Sequence, residues 1–254
     1  MIKRIYLLFS FIFFTFSGFS QEIYNWHREE SENFYIYYRN TPLDYIEKVK
    51  KLAESYYWKL ENKLGLLHLQ FHTKIYIYDN KEDYLKFTHQ PAWSSGCAYL
   101  KEKTIKSFFN SEDFLNRVLP HELGHIMFNE YLAGREVPLF LHEGIAQFCE
   151  KSLRRYRFKY IIKKALRGKM FIPLGKLVKI EGRYLAKNPQ EVSIFYAESI
   201  GIVDYLLEKH GKFNFRSFLR EIKESSDLEK AVKWAFGYDS IEELNKEWVE
   251  YLSK

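Results

Sequence analysis

"LPHELGHIMFNE", Leu119 to Glu130, carries two histidines four residues apart, with a glutamate directly after the first. Around it Phe114, Leu115, Val118, Leu119, Leu123, Ile126 and Met127 recur at threes and fours, the spacing of a helix with one apolar face. Residues four apart on a helix sit one turn apart on the same side. Two imidazoles so placed can reach one zinc ion at about 2.0–2.1 Å each. Glu122 points about 100° away around the helix and is not a natural third ligand. It can instead reach a water in the fourth position, which is the place of a general base. The plain alternative is an amphipathic helix with two surface or core histidines. Pro120 interrupts the pattern, so the helix either kinks or starts afresh there.

A second stretch downstream adds weight to the metal reading. "VPLFLHEGIAQFCE" (137–150) is also helical in pattern. A catalytic zinc on two histidines takes a third protein ligand, and two histidines with one glutamate form a standard set. Glu143 begins an apolar helical segment with Gly144 and Ala146 beside it. Small residues there let two helices approach and bring Glu143 towards the histidine pair. His142 is the rival third ligand, but it points a different way from Glu143 on a helix.

These residues carry a resemblance to a family. HELGH, followed 18 residues after His125 by Glu143 in "FLHEGIAQF", resembles the gluzincin metallopeptidases, and among them the compact peptidase MA-like domains. "FYAESIGIVDYLLEKHG" (195–211) and "AFGYDSIEELNKEWVEYL" (235–252) are similar to later helices of that family. The resemblance spans about Asn110 to the C-terminus, with the strand pair before it. It implies an α+β fold of thermolysin-like architecture, with a small mixed or antiparallel sheet in the N-terminal half packed on the zinc-site helices. An all-helical C-terminal half follows. It implies one zinc ion on His121, His125 and Glu143, with Glu122 as base. Tyr196 is the implied oxyanion donor, although a buried structural tyrosine fits that position equally. The implied activity is hydrolysis of peptide or protein substrates.

Two departures refine this. Many relatives carry an acid four residues after the third ligand, where this chain has Gln147. An amide oxygen there can still accept a histidine N–H, but it raises ligand basicity less than a carboxylate does. The Gly-x-Met-Glu-Asn pattern of the aminopeptidase branch is also missing. "GCAYLKEK" offers no matching acid for a free amine, which points to an endopeptidase. Tyr131 stands where a metzincin would carry a third histidine. The rival to an enzyme is a catalytically silent, zinc-loaded binding or scaffold protein of the same fold, and the intact Glu122 argues against it.

Upstream, "NFYIYYR" (33–39) and "TKIYIYD" (73–79) alternate as strands do. A helix spans about 42–64 between them, opened by Pro42 and closed by Gly65. A short helix falls near 81–88, and "CAYLKEKTIKSFF" (97–109) reads as one or two strands turning at Lys101–Lys103. Beyond 138–155, helices are expected near 193–210, 212–223, 227–236 and 240–252, with a loop at 171–177. Ile241, Leu244, Trp248 and Leu252 share one face of the last. His68 and His72 flank a strand-like run and read as packing or surface residues.

The first twenty residues order a basic start (Lys3, Arg4), the apolar "IYLLFSFIFFTF" and the small-residue "SGFS", as a secretory signal peptide does. Cleavage is expected near Ser20, leaving one exported catalytic domain over 21–254. That domain has an α/β lobe over about 21–110 and a helical lobe over about 111–254. An uncleaved anchor is the alternative, although the run is shorter than the roughly 20 residues of a spanning helix. Without the leader the balance is 37 Lys and Arg against 33 Asp and Glu, or +4. So mild a charge, with no nucleic-acid motif, points away from nucleic acid as a partner. "KSLRRYRFKYIIKKALRGK" (151–169) carries nine Lys or Arg. It reads first as a solvated helix face, and second as a weak contact for an anionic surface. Cys97 and Cys149 could pair in an exported protein or serve as small buried residues. The oligomeric state is left open by the sequence.

Overall fold

A computed structural model describes residues 25–66, 71–111, 113–148, 150 and 153–254. The expected leader, His68 and Cys149 lie outside the described residues, and with Cys149 so does its pairing with Cys97. Among the described residues no helix is long and apolar enough to cross a membrane.

Five strands form one mixed sheet. They are β1 (His27–Glu30), β2 (Phe34–Tyr38), β3 (Thr73–Tyr78), β4 (Cys97–Tyr99) and β5 (Thr104–Phe108), in the order β1-β2-β3-β5-β4. The central pairs β2/β3 and β3/β5 are parallel, and the outer pairs are antiparallel. The register aligns Ile36, Ile75 and Ile105 across the three central strands, and all three are fully buried. Parallel neighbours need a crossover, and α1 (Leu43–Leu64) supplies it between β2 and β3. Its buried Ile46, Val49, Ala53, Tyr57, Leu60 and Leu64 follow the helical repeat. Strand β1 was not expected. Its sequence, HREE, lacks apolar alternation because it is an exposed edge, where charge discourages pairing with another chain.

After β3, α2 (Lys81–Thr88) is capped by Asn80, whose side chain accepts from the Asp83 N–H at 2.8 Å. Tyr84 of this helix packs with Tyr78 and Cys97 into a buried cluster. Trp26 adds edge-on contacts to Tyr76 and Tyr78 at 5.2 and 5.4 Å. A single π-helical turn, Phe114–Val118, then leads into α3 (Leu119–Tyr131). In it the Val118 N–H reaches back five residues to the Asp113 carbonyl at 3.2 Å. Pro120 therefore falls in the first turn of a new helix, where its missing N–H costs nothing.

The remaining helices are α4 (Leu139–Phe148), α5 (Leu153–Arg167), α6 (Leu174–Leu177), α7 (Gly182–Lys187), α8 (Val192–Ser225), α9 (Leu228–Phe236) and α10 (Ile241–Ser253). Helix α8 is the centrepiece, packed by α4, α5 and α9. It breaks at Gly211, whose φ of 76° and ψ of 168° are non-helical, as the expected 193–210 and 212–223 pair requires. Asp227 and Ser240 cap α9 and α10 through the N–H groups of Lys230 and Glu243. The helix expected over 138–155 is instead two. Helix α4 stops at Phe148, the Glu150 N–H turns back to the Gln147 carbonyl at 3.1 Å, and α5 begins at Leu153.

The chain divides into two compact units. Among the described residues, one holds those up to Ser55 with Phe71–Glu122, and the other holds those of Tyr56–Gln70 with Leu123–Lys254.

Candidate metal centre

Helix α3 presents His121 and His125 one turn apart, and each is 8% exposed. Glu143 lies in the first half of α4 and is 2% exposed. One ligand atom from each of His121, His125 and Glu143 falls within 4.8 Å of the others. His125 Nε2 stands 3.8 Å from Glu143 Oε1.

The approach of α4 depends on two glycines. A Cβ on Gly124, inside the HELGH stretch, would stand 2.8 Å from the Ala146 Cα, nearer than such atoms come. Gly124 and Ala146 thus let α3 and α4 meet. Gly144 does not share this task, although the sequence suggested it. It turns to α8, where an added Cβ would lie 2.4 Å from the Ser199 carbonyl oxygen. Glycine is required at both places for lack of space, not for an unusual φ.

Glu122 is 2% exposed and adjacent to His121. Its charge is felt by Cys97 of β4 and Tyr84 of α2. Burial pushes the Cys97 thiol up to about 11, and the Glu122 carboxylate adds to that. The Tyr84 phenol is raised chiefly by burial, with Cys97 and Glu122 contributing. Tyr84 and Ser94 share a hydroxyl–hydroxyl hydrogen bond of 2.7 Å beneath this group.

Gln147 also has a role the sequence did not suggest. Its amide nitrogen donates to the Glu143 carbonyl at 3.1 Å and to the Tyr196 carbonyl at 3.2 Å. One side chain thereby ties α4 to α8 one turn beyond Glu143. Tyr196 is half-buried on α8 at that level, its ring edge-on to Phe195 at 5.6 Å. His142 is outside the ligand cluster. Its ring packs on Phe128 at 5.0 Å and His125 at 6.1 Å, and burial pushes it down to about 4. His72 stacks on Tyr35 at 4.4 Å, the packing role expected of it.

The most deeply buried acid among the described residues escaped the sequence reading. Glu198 of α8 is fully buried, and its Oε1 accepts the Ile172 N–H at 3.1 Å. Burial pushes its carboxyl up to about 9. The available signal was its place on the apolar stripe formed by Ile194, Phe195, Ile202 and Tyr205.

The donor set suits zinc. Two imidazoles and a carboxylate are nitrogen and oxygen ligands of the catalytic zinc type. Tetrahedral bonds of about 2.0–2.1 Å hold ligand atoms roughly 3.3 Å apart. The 3.8 Å between His125 and Glu143 needs only a small closing movement to match. Burying Glu143 as a carboxylate without a positive charge is costly, and a divalent ion offsets that cost.

No curated protein matches the chain. The family model of the peptidase MA superfamily matches residues 53–254, a span that starts inside α1 and includes β3, β4, β5 and every later helix. The chain belongs to the peptidase MA superfamily.

Proposed function

We propose that the chain is an exported zinc-dependent endopeptidase, acting as one catalytic domain over residues 21–254. The observation that carries this reading is the convergence of His121, His125 and Glu143 beside the buried Glu122, within a peptidase MA superfamily chain. Zinc is preferred to magnesium or calcium because two of the three donors are imidazoles, and those harder cations take oxygen. When bound, zinc supplies Lewis acidity, which polarises a carbonyl and lowers the pKa of coordinated water towards 7.

The protein's own groups do the rest. His121, His125 and Glu143 fix the reacting centre. Glu122 accepts the proton of the attacking water and delivers it to the leaving amine. The Tyr196 hydroxyl donates to the developing oxyanion, a contribution of about 3 kcal/mol per donor. Peptide or protein is the substrate class that follows from the family. Export rests on the order of basic, apolar and small residues over 1–20.

The test is zinc analysis with peptide-library profiling of the wild type and Glu122→Gln. One zinc in each and hydrolysis only by the wild type is the expected result. Full hydrolysis by a zinc-loaded Glu122→Gln protein overturns the mechanism. Zinc without turnover in the wild type replaces the enzyme with a binding protein. N-terminal sequencing of protein recovered outside the cytoplasm should begin near Gln21.

A further inference from the structure

Residues 151–180 hold eleven Lys and Arg and no Asp or Glu, whereas the rest of the chain holds 28 Lys and Arg against 33 Asp and Glu. Most of this segment is α5. Its inner face buries Ile162 and Ala165, with Ile162 packed on Gly201 of α8. Its outer face carries Tyr156, Tyr160, Lys163, Lys164 and Arg167, all exposed. The spacing of threes and fours lines them up in one stripe along the helix. Tyr156 and Tyr160 are 81% and 68% exposed, unusual for two aromatic residues one turn apart. Tyr160, Lys163, Lys164 and Arg167 together line a shallow open depression.

Among the described residues, no carboxylate pairs with the cations of this stripe. Lys176, Lys230, Lys233 and Lys254 each pair with an acid. Among the described residues, Lys163, Lys164 and Arg167 have no such partner. A purely solvated face gains nothing from two exposed tyrosines. A lipid headgroup layer accommodates both kinds of side chain, with tyrosine rings at the interface and the long basic stems reaching the phosphates. The depression is shallow and open and is lined by only four residues of one helix, which favours a flat partner over an enclosed peptide or nucleic-acid strand. The remaining chain carries a net charge of −5, so the basic excess of the protein is concentrated in this segment.

We infer that the exposed face of α5 seats the protein on an anionic lipid bilayer, with Tyr156 and Tyr160 at headgroup level and Lys163, Lys164 and Arg167 on lipid phosphates. This placement is independent of the metal centre and holds whether or not the chain turns over peptides.

The test is co-sedimentation of the full chain with vesicles of phosphatidylcholine alone, or mixed equally with phosphatidylglycerol. Binding is expected only to the mixed vesicles and is weakened by high salt. Each cation near such a surface is worth about fivefold in partition, so Lys163→Gln, Lys164→Gln and Arg167→Gln combined should cost roughly a hundredfold. An equal charge change at the exposed Lys48, Lys51 and Lys246 (each to Gln) should cost little. Tyr156→Ser with Tyr160→Ser should remove the part of binding that survives high salt. Unchanged thermal midpoints show that the variants fold. Equal binding to neutral vesicles overturns the proposal, as does an equal loss from the control triple. Binding of polyglutamate or an oligonucleotide in place of mixed vesicles also overturns it and assigns the stripe to that polyanion.

Discussion

Helices α4 and α5 follow one another in the chain, and a single periodic pattern runs through both, yet they solve opposite problems. From Phe140 to Phe148, α4 buries every residue but His142. Helix α5 buries one side and lays cations along the other. A helix enclosed on all sides must give up side chains where its neighbours cross, hence Ala146 against Gly124 and Gly144 against Ser199. It carries ionisable groups only where something repays their desolvation. A helix with a free side is under neither constraint, and its composition is open to other uses.

The largest effects should come from the enclosed helix and its partner α3. Glu143→Ala is expected to leave the protein without zinc and without hydrolysis, measured by metal analysis and turnover. Glu122→Gln should keep the ion and lose about 10²–10⁴-fold in rate, the usual contribution of a general base. Next, Gly144→Ala drives a methyl group into the Ser199 carbonyl at 2.4 Å. Its expected cost is about 1–3 kcal/mol in urea unfolding, as for overpacked cores. Zinc affinity should fall with it, because the same displacement moves Glu143.

A smaller and pH-dependent effect belongs to Glu198. Its folded-state carboxyl titrates at about 9 and its ordinary value is 4.5. Between those values the folded chain holds a proton that the unfolded chain has released. Stability therefore falls as pH rises through that window and levels off above it, by at most about 1.4 kcal/mol per pH unit. Glu198→Gln should flatten this slope in unfolding curves taken from pH 5 to pH 9. The smallest change is expected on α5. Lys163→Gln, Lys164→Gln or Arg167→Gln should alter folding stability by no more than about 0.5 kcal/mol. A larger loss would mean that the two helices differ less than their burial suggests.

Features that depend on neighbours in sequence were legible. Helix α2 was expected over 81–88 and spans Lys81–Thr88, because Asn80 caps it locally. The β4 and β5 pair was legible from the turn at Lys101–Lys103, and the break of α8 from Gly211. The His121, His125 and Glu143 cluster follows from a one-turn spacing plus a second helix. The missed features depend on neighbours in space. Nothing in "FCEKSL" marks the end of α4, since no Gly or Pro punctuates it. Which helix Gly144 faces, and the Tyr196 carbonyl that Gln147 reaches, are set by α8, more than forty residues away. The charged β1 gave no signal because an edge strand with two solvated faces needs none.

The π-helical turn at Phe114–Val118 has a consequence for all that lies after it. It inserts one residue into the helical count just before Leu119, and one residue is worth about 100° of rotation. The direction in which HELGH points, measured from Asp113, is therefore set by a single extra amino acid. Deleting the exposed Asn116 would let the turn relax to ordinary winding and swing both imidazoles off their present bearing. The composition of the ligand set would be untouched, and only its phase would change.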